Sequence, residues 1–203
     1  MGNSVFAAAQ KLEKEKKWID AATLYEQLLS ISPTIENYEK AAWCFSRAEE
    51  YDKAIEYCLK LHELEPRSAK WLYMIGYQYY SQFEWKTAIE WFEKALEQDP
   101  DYFVAKYRIA YAYNQLAGSY MQLKKAEYWK ARGHLEDCHR LWASYDDLDK
   151  QKEHTTYFGV NFLHGKMLMN LPQHYSEAIN LFQAALNIVP THVHAKYNLA
   201  KVY

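Results

Sequence analysis

A short pattern recurs down this chain at a spacing near 34 residues: an aromatic residue, two intervening residues, then an alanine. It reads Trp18-Ile-Asp-Ala21, Tyr51-Asp-Lys-Ala54, Trp85-Lys-Thr-Ala88, Tyr128-Trp-Lys-Ala131 and Tyr175-Ser-Glu-Ala178. Four of the five are followed about a dozen residues later by a proline: Pro33, Pro66, Pro100 and Pro190. A period of this length belongs to stacked helix-turn-helix units. One such unit cannot bury its apolar face alone, so it stacks on copies of itself, and the chain becomes a solenoid.

With the alanine set at position 20 of the repeat, a first helix and a second helix come into register. The first repeat gives Val5, Ala8, Ala9 and Leu12, then Ala21, Tyr25 and Leu28. The second gives Tyr38, Ala41, Ala42 and Phe45, then Ala54, Cys58 and Leu61. The third gives Leu72, Ile75, Gly76 and Tyr79, then Ala88, Phe92 and Ala95. Steps of three and four place each set on one helix face. Small residues at positions 8 and 20 let two helices approach closely, and large ones at 11 and 24 fill the space beside them. Proline at position 32 falls where the second helix must stop.

The pattern resembles the tetratricopeptide repeat, with small residues at 8, 20 and 27, aromatics at 11, 17 and 24, and proline at 32. The segment Leu72-Tyr-Met-Ile75-Gly76, Tyr79, Trp85, Ala88, Phe92, Ala95, Pro100 carries the likeness most fully. The resemblance implies an all-α, right-handed solenoid of about five repeats plus one unpaired C-terminal helix. Over 1–203 the repeats are placed at 2–34, 35–68, 69–102, an extended 103–157, 158–192 and a partial 193–203.

The fourth repeat departs from the rest. Its first helix is recognisable in Phe103 to Asn114, but Ala131 arrives nine residues late. Its second helix then continues as an amphipathic stripe through Leu135, Cys138, Trp142 and Tyr145. The polar stretch Asp146 to His154 is expected to hold a turn. In the fifth repeat Gly165 stands near position 8, with one extra residue near Pro172 and a first-helix register open by one residue. The last residues, Val193 to Tyr203, echo Phe103 to Tyr113 as the first helix of a sixth repeat. The expectation is a chain cut from a longer protein, or a helix covered by another chain.

Composition narrows the function classes. A formal charge of −2 gives no bulk attraction to nucleic acid or a membrane surface. No apolar run reaches 18 residues, so no membrane span is expected. Cys44, Cys58 and Cys138 are odd in number, widely spaced and on apolar faces, which reads as buried, reduced thiols and a cytoplasmic location. No nucleotide-binding glycine loop, G-x-S-x-G or H-E-x-x-H occurs, so no catalytic residue and no cofactor are assigned. His134 and Cys138 stand one helical turn apart, beside Asp137 and His139. Cys138 lies on the packing stripe and both histidines off it, so the reading is a solvated helix flank and not a metal site.

Nineteen tyrosines and seven tryptophans exceed what a repeat core uses. The resemblance implies a concave groove lined by positions 2, 5, 9, 12 and 13 of each first helix. Carried onto this sequence, those positions hold Phe6, Gln10 and Glu13, then Glu39, Trp43, Ser46 and Arg47. The third repeat supplies Lys70, Tyr73, Tyr77, Tyr80 and Ser81, and the fourth Tyr107, Tyr111, Asn114 and Gln115. Trp43 and the tyrosines at 73, 77, 80, 107 and 111 form the expected aromatic stripe, with Arg47, Lys70 and Arg108 at its edges. Tyrosine, tryptophan and arginine are favoured interface anchors. The chaperone-tail class of these domains holds a carboxylate with Lys at position 5 and Asn at position 9. Here those places carry Phe6 and Gln10, then Glu39 and Trp43; of the Lys and Arg that the class adds in later repeats, Lys70 alone matches.

Three functions fit. The first is a non-enzymatic scaffold that binds a protein partner, as a peptide or helix, in the aromatic groove, with self-association through the C-terminal helix. The second is the N-terminal recruiting or oligomerisation arm of a larger enzyme, such as a glycosyltransferase. The third, tyrosines stacking on nucleic-acid bases, is disfavoured by the near-neutral charge.

Overall fold

The computed structural model describes residues 2–118 and 126–203, with side chains from Ser4 onward. Every regular element among them is helical, and the chain forms two compact units, 1–100 and 101–203. The first unit holds α1 (Gly2–Lys14), α2 (Trp18–Ile31), α3 (Ile35–Arg47), α4 (Tyr51–Leu64), α5 (Ala69–Ser81) and α6 (Trp85–Gln98). The second holds α7 (Phe103–Ala117), α8 (Ala126–Ser144), α9 (Asp147–Leu168), α10 (Tyr175–Ile188) and α11 (Val193–Val202). Within each unit the helices pack as sequence-adjacent hairpins: α1 on α2, α3 on α4, α5 on α6, then α7 on α8 and α9 on α10.

The repeat alanines do what their spacing predicts. Ala21, Ala54, Ala88, Ala131 and Ala178 are all fully buried, as are Tyr25, Cys58, Phe92 and Phe182 at position 24. The free thiols of Cys44, Cys58 and Cys138 are buried too, and burial pushes each up to about 12.

The hairpin turns of the first unit share one device. Lys16, Glu49 and Phe83 adopt positive φ, at 58°, 63° and 63°. The next amide then bonds back five residues: Lys17 to Leu12, Glu50 to Phe45 and Glu84 to Tyr79, at 2.9, 3.0 and 2.9 Å. This closes the first helix of each pair and aims the chain into the second.

Two expectations change in the second unit. The turn between α8 and α9 is confined to Tyr145 and Asp146, and Asp147 to His154 forms the opening turns of α9. Asp146 accepts from the Asp149 amide at 2.8 Å, with Asp147 and Asp149 in the first turn at the positive end of the helix dipole. The polar run is therefore a capped helix start. The register of the fifth repeat is also fixed: Gly165 faces Phe182 as Gly76 faces Phe92, and a short 3-10 turn at Pro172–His174 takes up the extra residue. Much of the lengthening that delays Ala131 coincides with 119–125, outside the described residues.

Candidate functional site

The first unit presents its candidate surface on α3 and α5. Trp43 remains 39% exposed although a large aromatic would gain by burial. Its ring meets Trp18 edge-on at 4.9 Å, and the Arg47 guanidinium lies over Trp18 at 5.3 Å. Trp43 and Met74 line a concavity of ≈ 450 Å³ together with Glu13, Glu36, Glu39 and Lys40. Most of that charge is already matched. Lys40 pairs with Glu13 at 3.3 Å and Lys70 with Glu39 at 2.6 Å, while the Tyr25 hydroxyl donates to Glu13. Burial, then that bond to Glu13, raises the Tyr25 phenol well above its ordinary pKa. Lys70 also lies 4.4 Å above the Trp71 ring.

On α5 the three candidate tyrosines form a ladder. Tyr77 stacks between Tyr73 at 6.3 Å and Tyr80 at 6.1 Å. The outer two lean on the buried Phe92, at 5.3 and 6.3 Å. All three rings are half-buried. Tyr77 and Arg47 also line a second, smaller concavity of ≈ 240 Å³, with Ser46, Glu49, Tyr51 and Ser81.

The second unit carries the remaining candidates on α7, all half-buried. Tyr107 packs against α9, where a Cβ on Gly159 would stand 2.5 Å from its hydroxyl oxygen. Burial raises its phenol pKa. Arg108 approaches the Tyr107 ring at 5.7 Å, and Tyr111 meets that ring edge-on at 6.5 Å. Asn114 follows one turn after Tyr111.

The sequence placed His134 and His139 on a solvated flank, and the structure corrects this. His134 stacks on Tyr113 at 6.2 Å, and burial lowers its pKa to about 4. His139 bonds to Tyr157 at 3.1 Å and to His164 at 3.2 Å, joining α8 to α9. Helix α8 is covered by α7 on one side and α9 on another, so it has two packing stripes where one was expected. Among the described residues no group of three or more His, Cys, Asp or Glu is arranged to hold a metal ion. No described helix is long and apolar enough to cross a membrane.

The family profile of the tetratricopeptide repeat matches residues 69–102, the span of α5 and α6. The DnaJ homolog subfamily C member 3 of Rattus norvegicus is 28% identical over 102 residues, 48% of this chain and 20% of that protein. Its Homo sapiens counterpart is 26% identical over the same length and shares. The aligned part therefore spans about a fifth of the curated relatives it matches. Among solved structures, MamA superposes with a TM-score of 0.65 at 18% identity, over 90% of this chain and 94% of that one. TTC0263, a thermophilic protein of Thermus thermophilus, superposes at 0.64 and 15% identity, over 100% and 98%. At such identities these structures bear on the fold alone, and the fold is that of stacked tetratricopeptide repeats. Proteins of this class are in general protein-interaction scaffolds. The recurrent alanines, the paired helices and the matched third repeat give the chain the fold of the tetratricopeptide repeat proteins.

Proposed function

We propose that the chain is a non-enzymatic scaffold whose first unit receives an extended peptide segment along α3 and α5. The observation that carries this reading is Trp43, a large aromatic left 39% exposed in a concavity of ≈ 450 Å³. An apolar side chain of the partner seats against Trp43 and Met74, and the Tyr73–Tyr77–Tyr80 ladder continues the surface. Tyrosines give contact area with little side-chain entropy to lose, which suits an anchor. In the second unit, taken by itself, the same reading assigns Arg108, Tyr111 and Asn114 to a contact surface of that unit and Tyr107 to holding α7 against α9. The test is hydrogen exchange on the chain bound to a peptide selected from a randomised display library. Protection concentrated on α3 and α5 supports the reading; protection on α2, α4 or α6 overturns it.

A second reading is favoured by the lengths of the relatives, of which the aligned segment is 20%. The repeats then serve as the recruiting arm of a longer multidomain protein. The complete reading frame tests it. Self-association through α11 completes the proposal. That helix buries Ala195 and Val202 but leaves Val193 and Tyr197 at 73 and 59% exposure, and Tyr203, just past its end, is 79% exposed. Sedimentation at rising concentration tests it, and a strict monomer overturns it.

A further inference from the structure

We infer that the smaller concavity beside the Trp43 surface is an oxyanion subsite, and that the peptide partner of the first unit carries a carboxylate side chain near its apolar anchor. This rests on the groove reading above and adds the chemistry of the ligand. The cavity of ≈ 240 Å³ has room for a side chain and is lined by Ser46, Arg47, Glu49, Tyr51, Tyr77 and Ser81.

Three features point to an anion. First, Arg47 has no carboxylate or hydrogen-bond acceptor among the described residues, yet its guanidinium is held in place over the Trp18 ring at 5.3 Å. An oriented and unpaired guanidinium is a strong donor for a planar carboxylate. Second, the hydroxyls of Ser46 and Tyr51 likewise bond to no described residue, so both remain as donors beside it. Ser81 differs, since its hydroxyl already donates to the Tyr77 carbonyl at 2.9 Å and offers only an acceptor. Third, the other cations of this face are occupied: Lys40 by Glu13 and Lys70 by Glu39. An acidic group arriving on α3 therefore finds its unspent charge at Arg47.

Glu49 also lines the cavity and does not pair with Arg47. Its charge opposes a phosphate dianion more than a carboxylate monoanion, because the repulsion scales with the incoming charge. That decides for the carboxylate.

The test uses the full chain and peptides selected from a randomised display library. Each selected peptide is resynthesised with its acidic residue changed from Glu to Gln, and separately with phosphoserine in its place. All are titrated against the wild type, Arg47→Met and Trp43→Ala, and folding is checked by melting temperature. The expected result is that Glu to Gln weakens wild-type binding by about tenfold or more. Against Arg47→Met the same change should matter less than about twofold. If peptides need Trp43 but ignore both changes, the oxyanion subsite is overturned while the groove stands. If binding ignores Trp43 as well, or no peptide is enriched, both fall. If the phosphoserine peptide binds about tenfold tighter than the Glu peptide, the choice of carboxylate is overturned.

Discussion

Gly76 lies so close under Phe92 that a Cβ on it would stand 2.7 Å from the ring. The ring is fully buried and cannot swing aside without opening the core. Gly165 stands in the same relation to Phe182, at 2.9 Å. The missing methyl at position 8 is what lets the first helix of the pair rest on the second.

Gly76→Ala should therefore destabilise the chain although alanine is the better helix former. Overpacking costs about 1–3 kcal/mol, against about 1 kcal/mol gained in propensity. Gly133 is the control, since it lies within α8 with nothing within 4 Å of a built Cβ. Gly133→Ala should stabilise by up to about 1 kcal/mol. Urea denaturation of the two variants separates the effects, and a stabilised Gly76→Ala would show that the close approach does not matter.

The sequence showed the repeat unit, its buried alanines and the helix pairing because each is a local spacing. It did not show the link between His139, Tyr157 and His164, because those residues lie on two helices whose contact depends on the length of the fourth repeat. Nor did spacing alone reveal that Tyr107 meets Gly159. Position 5 carries tyrosine in both the third and fourth repeats, but only in the fourth does a long following helix offer a glycine beneath it. The turn after Tyr145 was misplaced because a run of charged residues reads equally as a loop or as the capped start of a helix.

Acid should weaken the second unit through its histidines. Burial, with the neighbouring His139, lowers the pKa of His164 from 6.5 to about 4; burial, with Lys106 and Lys130, does the same for His134. Between those values the unfolded chain binds more protons than the folded one. Their contribution is complete above pH 6.5 and is lost as pH falls toward about 4. Urea midpoints of the wild type and His164→Gln at neutral and mildly acidic pH read this out. The variant should lose less on acidification, and equal losses would contradict the assignment.

Tyr107 should behave as a packing residue. Tyr107→Ala opens a gap under α9 and should cost roughly 2–4 kcal/mol. Affinity of a peptide for the first unit should stay within about twofold. Calorimetry of this variant, by heat and by titration, distinguishes packing from binding; an unchanged melting temperature with lost affinity would return Tyr107 to the groove.

The central claim is that the α3–α5 face binds while the interior holds the fold, and paired melting and affinity measurements on Trp43→Ala, Tyr77→Ala and Phe92→Ala test it most directly. Trp43→Ala and Tyr77→Ala should each weaken binding by more than about 1 kcal/mol with little change in melting temperature. Phe92→Ala should cost roughly 3–5 kcal/mol of stability. If Tyr77→Ala and Trp43→Ala instead unfold the chain as Phe92→Ala does, or leave affinity untouched, these aromatics are not the binding surface.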